Sequence, residues 1–181
     1  MKSGQRVLLH ICCAPCANQC VDSLRMEGLD VTGFWYNPNI HPYQEYKSRR
    51  NALRTYAGMV SLKLIEDDTY GLREFVKAVA NDIDGRCSYC YLVRMEKTAK
   101  TAAELGFDAF SSSLLYSPYQ KHSWIIRTAE AMSQKYHVNF LYRDFRPLYK
   151  QGQETAKSLG LYRQKYCGCV FSEEERFKKK K

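Results

Sequence analysis

Seven cysteines fall into three short groups, and each group offers at least two sulfurs to one centre. They are Cys12, Cys13 and Cys16 in CCAPC, Cys87 and Cys90 in CSYC, and Cys167 and Cys169 in CGC. Thiolates ligate soft metals and iron–sulfur clusters, and they also work as redox dithiols, so spacing has to choose between these uses. Cys87 and Cys90 are three apart at the start of a predicted helix, which puts both sulfurs on one face. The helix dipole and neighbouring Arg86 favour their thiolates. Gly168 permits a tight reversal that aims its two flanking sulfurs at one centre. A dithiol couple explains one CxxC and leaves a second CxxC and a CxC without a role. Structural zinc consumes four ligands and leaves three idle. Seven thiolates complete a [4Fe–4S] cubane and leave two or three for a second metal or a redox pair. The eighth, Cys20, lies one helical turn beyond Cys16 and reads as a small buried hydrophobe.

Alternating strands and helices must hold these sulfurs. Strand-like runs occupy 6–11, 31–36, 62–65, 107–114 and 138–142, and helical patterns occupy about 17–27, 43–58, 71–81, 88–105, 118–136 and 149–159. Gly28, Gly106 and Gly160 stand where helices end. The alternation predicts an α/β fold: a single Rossmann-like domain over 1–181, its parallel sheet covered by helices, with a basic tail from about 173. Open sheets of this kind bind ligands beyond the carboxyl ends of their strands, where Cys12 to Cys16 lie. A phosphate-binding turn there is glycine-rich, whereas ICCAP contains no glycine.

With 45% hydrophobic residues, 181 residues are enough for one core. No apolar run approaches the roughly 20 residues that cross a bilayer, so a cytoplasmic protein without a membrane partner is expected. The formal charge of +9 suits a polyanionic partner. Part of that charge is the closing EEERFKKKK, read as a solvated helix end with Glu174/Lys178 and Glu175/Lys179 spacing. Tyrosines, 14 in all, are interleaved with 28 Lys and Arg, as in YKSRR, LYRDFR and LYRQKY. That mixture suits stacking on unpaired bases and holding phosphates.

Five ordered blocks, CCAPC, YNPNIHPYQEYKSR, RCSYC, SSSLLYSPYQKH and GLYRQKYCGCVFS, resemble the epoxyqueuosine reductase family QueH from Val7 to Ser172. The resemblance implies a sheet of the adenine-nucleotide α-hydrolase (HUP) type. It also implies iron–sulfur-dependent, two-electron deoxygenation of epoxyqueuosine to queuosine in the tRNA anticodon loop, the last step of queuosine biosynthesis. The implied cofactors are a [4Fe–4S] cluster and a separately held mononuclear iron, without cobalamin. The partners are tRNA carrying epoxyqueuosine at the wobble position and an external electron donor. Cys12, Cys13, Cys16, Cys87, Cys90, Cys167 and Cys169 match the metal positions, and Cys20 does not.

Within that frame Cys12, Cys13, Cys87 and Cys90 are expected on the cluster, and Cys13, Cys16 and His41 at the chemistry. Adjacent residues on extended backbone point apart, so CCAPC is expected to straddle two centres. Cys87 and Cys90 would serve one centre, Cys167 and Cys169 the other. The acids on offer are His41, Tyr46, Tyr119 and Tyr166. Asn37, Tyr46, Arg49, Tyr119, Gln120, Arg163 and Gln164 are the expected substrate or tRNA contacts. Two other readings fit parts of the pattern: a PP-loop-like tRNA sulfur transferase, which needs ATP and hence the missing glycines, and a zinc-bound RNA-binding module.

Overall fold

A computed structural model describes residues 4–178. Five parallel strands, β1 (Arg6–His10), β2 (Asp30–Trp35), β3 (Lys63–Glu66), β4 (Ala109–Ser112) and β5 (Asn139–Phe140), form one sheet in the order β3-β2-β1-β4-β5. The helices are α1 (Ala14–Met26), α2 (Tyr43–Met59), α3 (Leu72–Val79), α4 (Arg86–Glu104), α5 (His122–Tyr136), α6 (Tyr149–Ser158) and α7 (Val170–Phe177).

The central strand explains the order. Val7, Leu8, Leu9 and His10 of β1 are fully buried, as expected for a strand covered on both faces. The outer strands β3 and β5 are short, and β3 begins and ends on the charged residues Lys63 and Glu66. Strand order reverses between β1 and β4, where Leu9 pairs with Ser111 and His10 with Ser112. That reversal is the topological switch point, and the chain leaves it directly into Cys12 on one side and Ser113 on the other.

The elements sit near their predicted places, with differences that matter for the thiols. The first helix starts at Ala14 rather than 17, because Pro15 in the first turn needs no N–H partner there and its fixed φ suits the helix. Cys13 therefore becomes the N-cap residue and Cys16 part of the first turn. The helix expected from 88 starts at Arg86 and so includes Cys87. The run 107–114 is a strand only over 109–112. It then tightens into a 3₁₀ turn, Ser113–Tyr116, where Ser112 Oγ accepts from Leu114 N at 3.2 Å. Gly28, Gly106 and Gly160 adopt φ of 77°, 66° and 62° just past α1, α4 and α6, as helix-ending glycines do.

Much of the expected tail is α7. It has no buried residue, its Glu174 pairs with Lys178 at 2.7 Å, and Arg86–Glu175 at 2.5 Å ties it to α4. Lys179 to Lys181 lie outside the described residues. Among the described residues no helix is long and apolar enough to cross a membrane.

Candidate metal centre and substrate cleft

At the switch point the Sγ atoms of Cys12, Cys13 and Cys16 all lie within 4.8 Å of one another, with Cys12 and Cys13 at 3.8 Å. A metal bound at about 2.3 Å by sulfur in a tetrahedron separates its ligand sulfurs by about 3.8 Å, so this spacing fits one ion. The turn is held across the sheet: Cys12 N donates to Ser113 Oγ at 3.2 Å, and that hydroxyl faces Cys12 Sγ at 3.6 Å. Hydrogen bonds from Cys13 and Cys16 hold the Cys12 thiol well below its ordinary value. Burial raises Cys13, and the partnership with Cys12 and Cys13 raises Cys16. Burial opposes ionising all three sulfurs together, and a bound cation offsets that cost. His10, fully buried behind them, contacts Ser112 Oγ at 2.9 Å and Asn37 Oδ1 at 3.2 Å. Burial first, and then Arg94, push its pKa down to about 4.

The other four thiols gather beside this triplet, where α4 meets α7. Cys90 and Cys169 pack in one apolar cluster with Phe75 and Val79. Cys87 and Cys90 each feel the charges of both Cys167 and Cys169. Burial pushes the Cys90 thiol up to about 12 and raises Cys87 as well. The split expected from the sequence set Cys87 and Cys90 on one centre and Cys167 and Cys169 on the other; the structure packs Cys90 with Cys169 and brings Cys12, Cys13 and Cys16 together. The segment before Cys169 packs on α2, where Arg49 donates to the carbonyls of Tyr166 and Cys167, and Cys169 itself packs against Cys90 of α4. Among the described residues, no other three metal-binding side chains approach as closely as the CCAPC triplet.

All three groups share one structural device. Cys13 caps α1 and Cys16 lies in its first turn, Cys87 opens α4, and Cys169 caps α7, its sulfur accepting from Ser172 N at 3.4 Å. Helix N-termini favour negative charge, so thiolates and anionic clusters are stabilised at each.

A cleft of about 440 Å³ opens over the CCAPC turn and Cys167. Cys12, Cys16, Cys167 and Arg94 line it, together with Tyr119, Gln120, Tyr149, Gln153, Gln164, Lys165 and Arg176. Cys16 and Arg94 are buried, whereas Tyr119 is 83% exposed. Gln120 Nε2 donates to Cys167 Sγ at 3.3 Å and accepts Tyr91 Oη at its own Oε1, at 2.8 Å. Gln164 Nε2 reaches Cys16 Sγ at 3.5 Å, while its buried Oε1 has no partner among the described residues. Tyr119 and Tyr149 meet edge to face at 5.9 Å. Ser113, Arg94, Tyr149 and Gln153 were not singled out from sequence. The signals for the first two were present: Ser113 follows the strand that pairs with β1, and Arg94 is one helical turn after Cys90.

Four expected site residues are elsewhere. His41 is 1% exposed; its Nε2 donates to Pro38 O at 3.1 Å, its Nδ1 accepts from Val170 N at 3.4 Å, and it does not line the cleft. Asn37 is fully buried and donates to Ile11 O at 2.8 Å. Tyr46 is fully buried between Trp35 Nε1 and Asp68 Oδ1. Arg49, 1% exposed, pairs with Glu45 at 2.7 Å and donates to the carbonyls of Cys167 and Tyr166 at 2.8 and 2.9 Å. All four are buried outside the cleft lining, with their polar atoms engaged by other protein groups: Asn37 and His41 on backbone beside the thiol turns, Arg49 on the 166–167 carbonyls, and Tyr46 on Trp35 and Asp68. Tyr119, Gln120 and Gln164 do line the cleft. Arg163 is exposed and does not line it. Cys20 is fully buried, its Sγ donating to Cys16 O at 3.1 Å.

A parallel sheet of this order, with a thiol constellation where a nucleotide-binding turn would stand, defines an α/β protein of Rossmann-like fold. Solved structures share the fold. U34-tRNA thiolase NcsA from Methanococcus maripaludis with its [4Fe-4S] cluster superposes with a TM-score of 0.60 at 14% identity, over 94% of this chain and 62% of that one. A predicted subunit of tRNA methyltransferase from Methanocaldococcus jannaschii gives 0.56 at 14% identity, over 84% and 74%.

The sequence profile of epoxyqueuosine reductase QueH matches residues 7–175. Epoxyqueuosine reductase QueH of Dehalococcoides mccartyi is 43% identical over 174 residues, covering 96% of each chain. The Thermotoga maritima protein of the same name is 38% identical, over 96% of this chain and 93% of its own. The chain belongs to the epoxyqueuosine reductase QueH family.

Proposed function

We propose that the chain reduces epoxyqueuosine to queuosine in tRNA without cobalamin, on two thiolate-held centres. The single observation that carries this is the meeting of Cys12, Cys13 and Cys16 within 4.8 Å of one another at the sheet's switch point, beside a cleft that Cys12, Cys16 and Cys167 line. Cys12, Cys13 and Cys16 have the spacing of a mononuclear site and would hold the separate iron. Cys87, Cys90, Cys167 and Cys169 would hold the [4Fe–4S] cluster, in which each sulfur caps a different iron and the sulfurs stand further apart.

Turning the epoxide into an alkene breaks two C–O bonds, forms one C=C bond, takes up two electrons and two protons, and releases water. When bound, the metals supply single electrons and Lewis acidity. The chain's own groups do the rest. Tyr119 and Tyr149 offer ring faces to the extruded base. The unpartnered Gln164 Oε1 is an acceptor for an N–H of that base. Lys165 and Arg176 at the exposed rim suit flanking phosphates. Tyr166 spends its hydroxyl on His41 O, which leaves the Tyr119–Tyr149 pair as the hydroxyl acid of the cleft. The absence of glycine between β1 and α1 argues against the ATP use that a sulfur transferase requires.

Anaerobically reconstituted protein, mixed with a chemical reductant and an anticodon stem-loop carrying epoxyqueuosine, should yield nucleoside lighter by one oxygen atom. Unchanged nucleoside under a reductant that does reduce the protein's metal centre would end this reading. The partition is tested separately. Cys90→Ala should abolish the cluster's absorbance, and Cys13→Ala should keep most of it while losing iron and turnover. The reverse pattern would exchange the two assignments.

A further inference from the structure

Arg94 is the buried cation of this site whose charge no carboxylate answers. It is 2% exposed and lies one turn along α4 from Cys90. Its Nη2 donates to Cys90 Sγ at 2.8 Å and its Nε to Cys90 O at 2.9 Å, with the Tyr91 ring 5.8 Å from the guanidinium. The other buried arginines beside the thiols have acids: Arg49 pairs with Glu45 at 2.7 Å and Arg86 with Glu175 at 2.5 Å. Among the described residues no carboxylate comes within ion-pair distance of Arg94. Besides its bond to Cys90, Arg94 lines the cleft together with Cys12, Cys16 and Cys167, so it faces thiols of both groups.

A guanidinium buried without an anion is heavily penalised, and it cannot shed its proton as a lysine can. The anion it requires is therefore sulfur-borne. A positive charge fixed beside a centre that takes up an electron also stabilises the reduced form over the oxidised one, more strongly in a dry site than in water.

We infer that Arg94 is a positioning residue that serves as the shared counter-charge of the two thiol groups, raising the reduction potential of the centre held by Cys90 and Cys167. The inference rests on the metal-bearing reading given above. It concerns electron uptake rather than substrate contact, so it is read on the protein without tRNA.

The test is a mediator titration, followed by electron paramagnetic resonance, of wild-type, Arg94→Gln and Arg94→Lys proteins reconstituted without oxygen, with iron and sulfide counted in each. At the wild-type midpoint, Arg94→Gln should show a reduced-to-oxidised ratio about tenfold lower, equivalent to 59 mV for a one-electron couple. Arg94→Lys, which keeps the charge, should stay within about threefold. If Arg94→Gln loads no metal, retention of metal by Arg94→Lys supports the counter-charge, and equal loss from both overturns it. An unchanged potential in fully loaded Arg94→Gln, with or without a raised KM for the stem-loop, also overturns it. A wild-type protein with no iron–sulfur signal removes the underlying reading, and this inference with it.

Discussion

Both ring nitrogens of His41 are engaged, Nε2 on Pro38 O and Nδ1 on the N–H of Val170, the residue after Cys169. The carbonyl acceptor places the proton on Nε2 and the imidazole stays neutral, with burial lowering its pKa to about 4 from 6.5. The folded chain thus binds fewer protons than the unfolded chain between those values. The stability held by His41 is complete above pH 6.5 and lost as pH falls toward 4, by about 3 kcal/mol at most. Denaturant unfolding of metal-free protein should show a smaller difference between about pH 7.5 and pH 4.5 for His41→Gln than for wild type. Equal slopes would mean that His41 is not buried neutral. In the cleft, Tyr119→Phe keeps the stacking face and loses the hydroxyl. It should lower kcat by about a hundredfold with little change in KM, as for loss of a general acid. A rise in KM at constant kcat would make Tyr119 a binding residue alone.

At the level of elements, the alternation of strands and helices, the helix-ending glycines and the site's location past β1 were legible in the sequence, because periodicity and turn chemistry are local. The start of α1 at Ala14 and the company of Cys90 and Cys169 were not. The first depended on how one proline fits a helix turn. The second depended on a contact between residues 79 positions apart, which spacing does not report. Burial was also hidden: Tyr46 and Arg49 on α2 suit a nucleic-acid face by spacing, whereas in the fold Arg49 holds the carbonyls of 166–167 and Tyr46 sits between Trp35 and Asp68. The seating of α6 on α1 is similarly tight. A Cβ at Gly152 would stand 2.2 Å from Tyr116 Oη and 2.8 Å from Asn18 Oδ1, and Asn18 Nδ2 already donates to Gly152 O at 2.8 Å. Gly152→Ala should therefore cost about 1–3 kcal/mol through overpacking and displace the Tyr149 and Gln153 side of the cleft. Thermal unfolding at the wild-type midpoint would show instead that α6 is loosely held.

Over the whole molecule the charge of +9 overstates the surface available to RNA, since Arg49, Arg86 and Arg94 are at most 9% exposed and serve the thiol loops. Binding should therefore depend on salt only moderately. If about four phosphates of the single-stranded loop are held, log K should fall against log salt with a slope near −3. A slope near zero would leave the rim residues Lys165 and Arg176 without a phosphate.

The most direct test of the central claim is iron and acid-labile sulfide per chain, with an absorption spectrum, on protein purified and reconstituted without oxygen. The arrangement of three and four thiols predicts a brown protein with about four sulfides and about five irons per chain. A colourless protein holding zinc and no sulfide after the same treatment would contradict it and leave CCAPC a structural site.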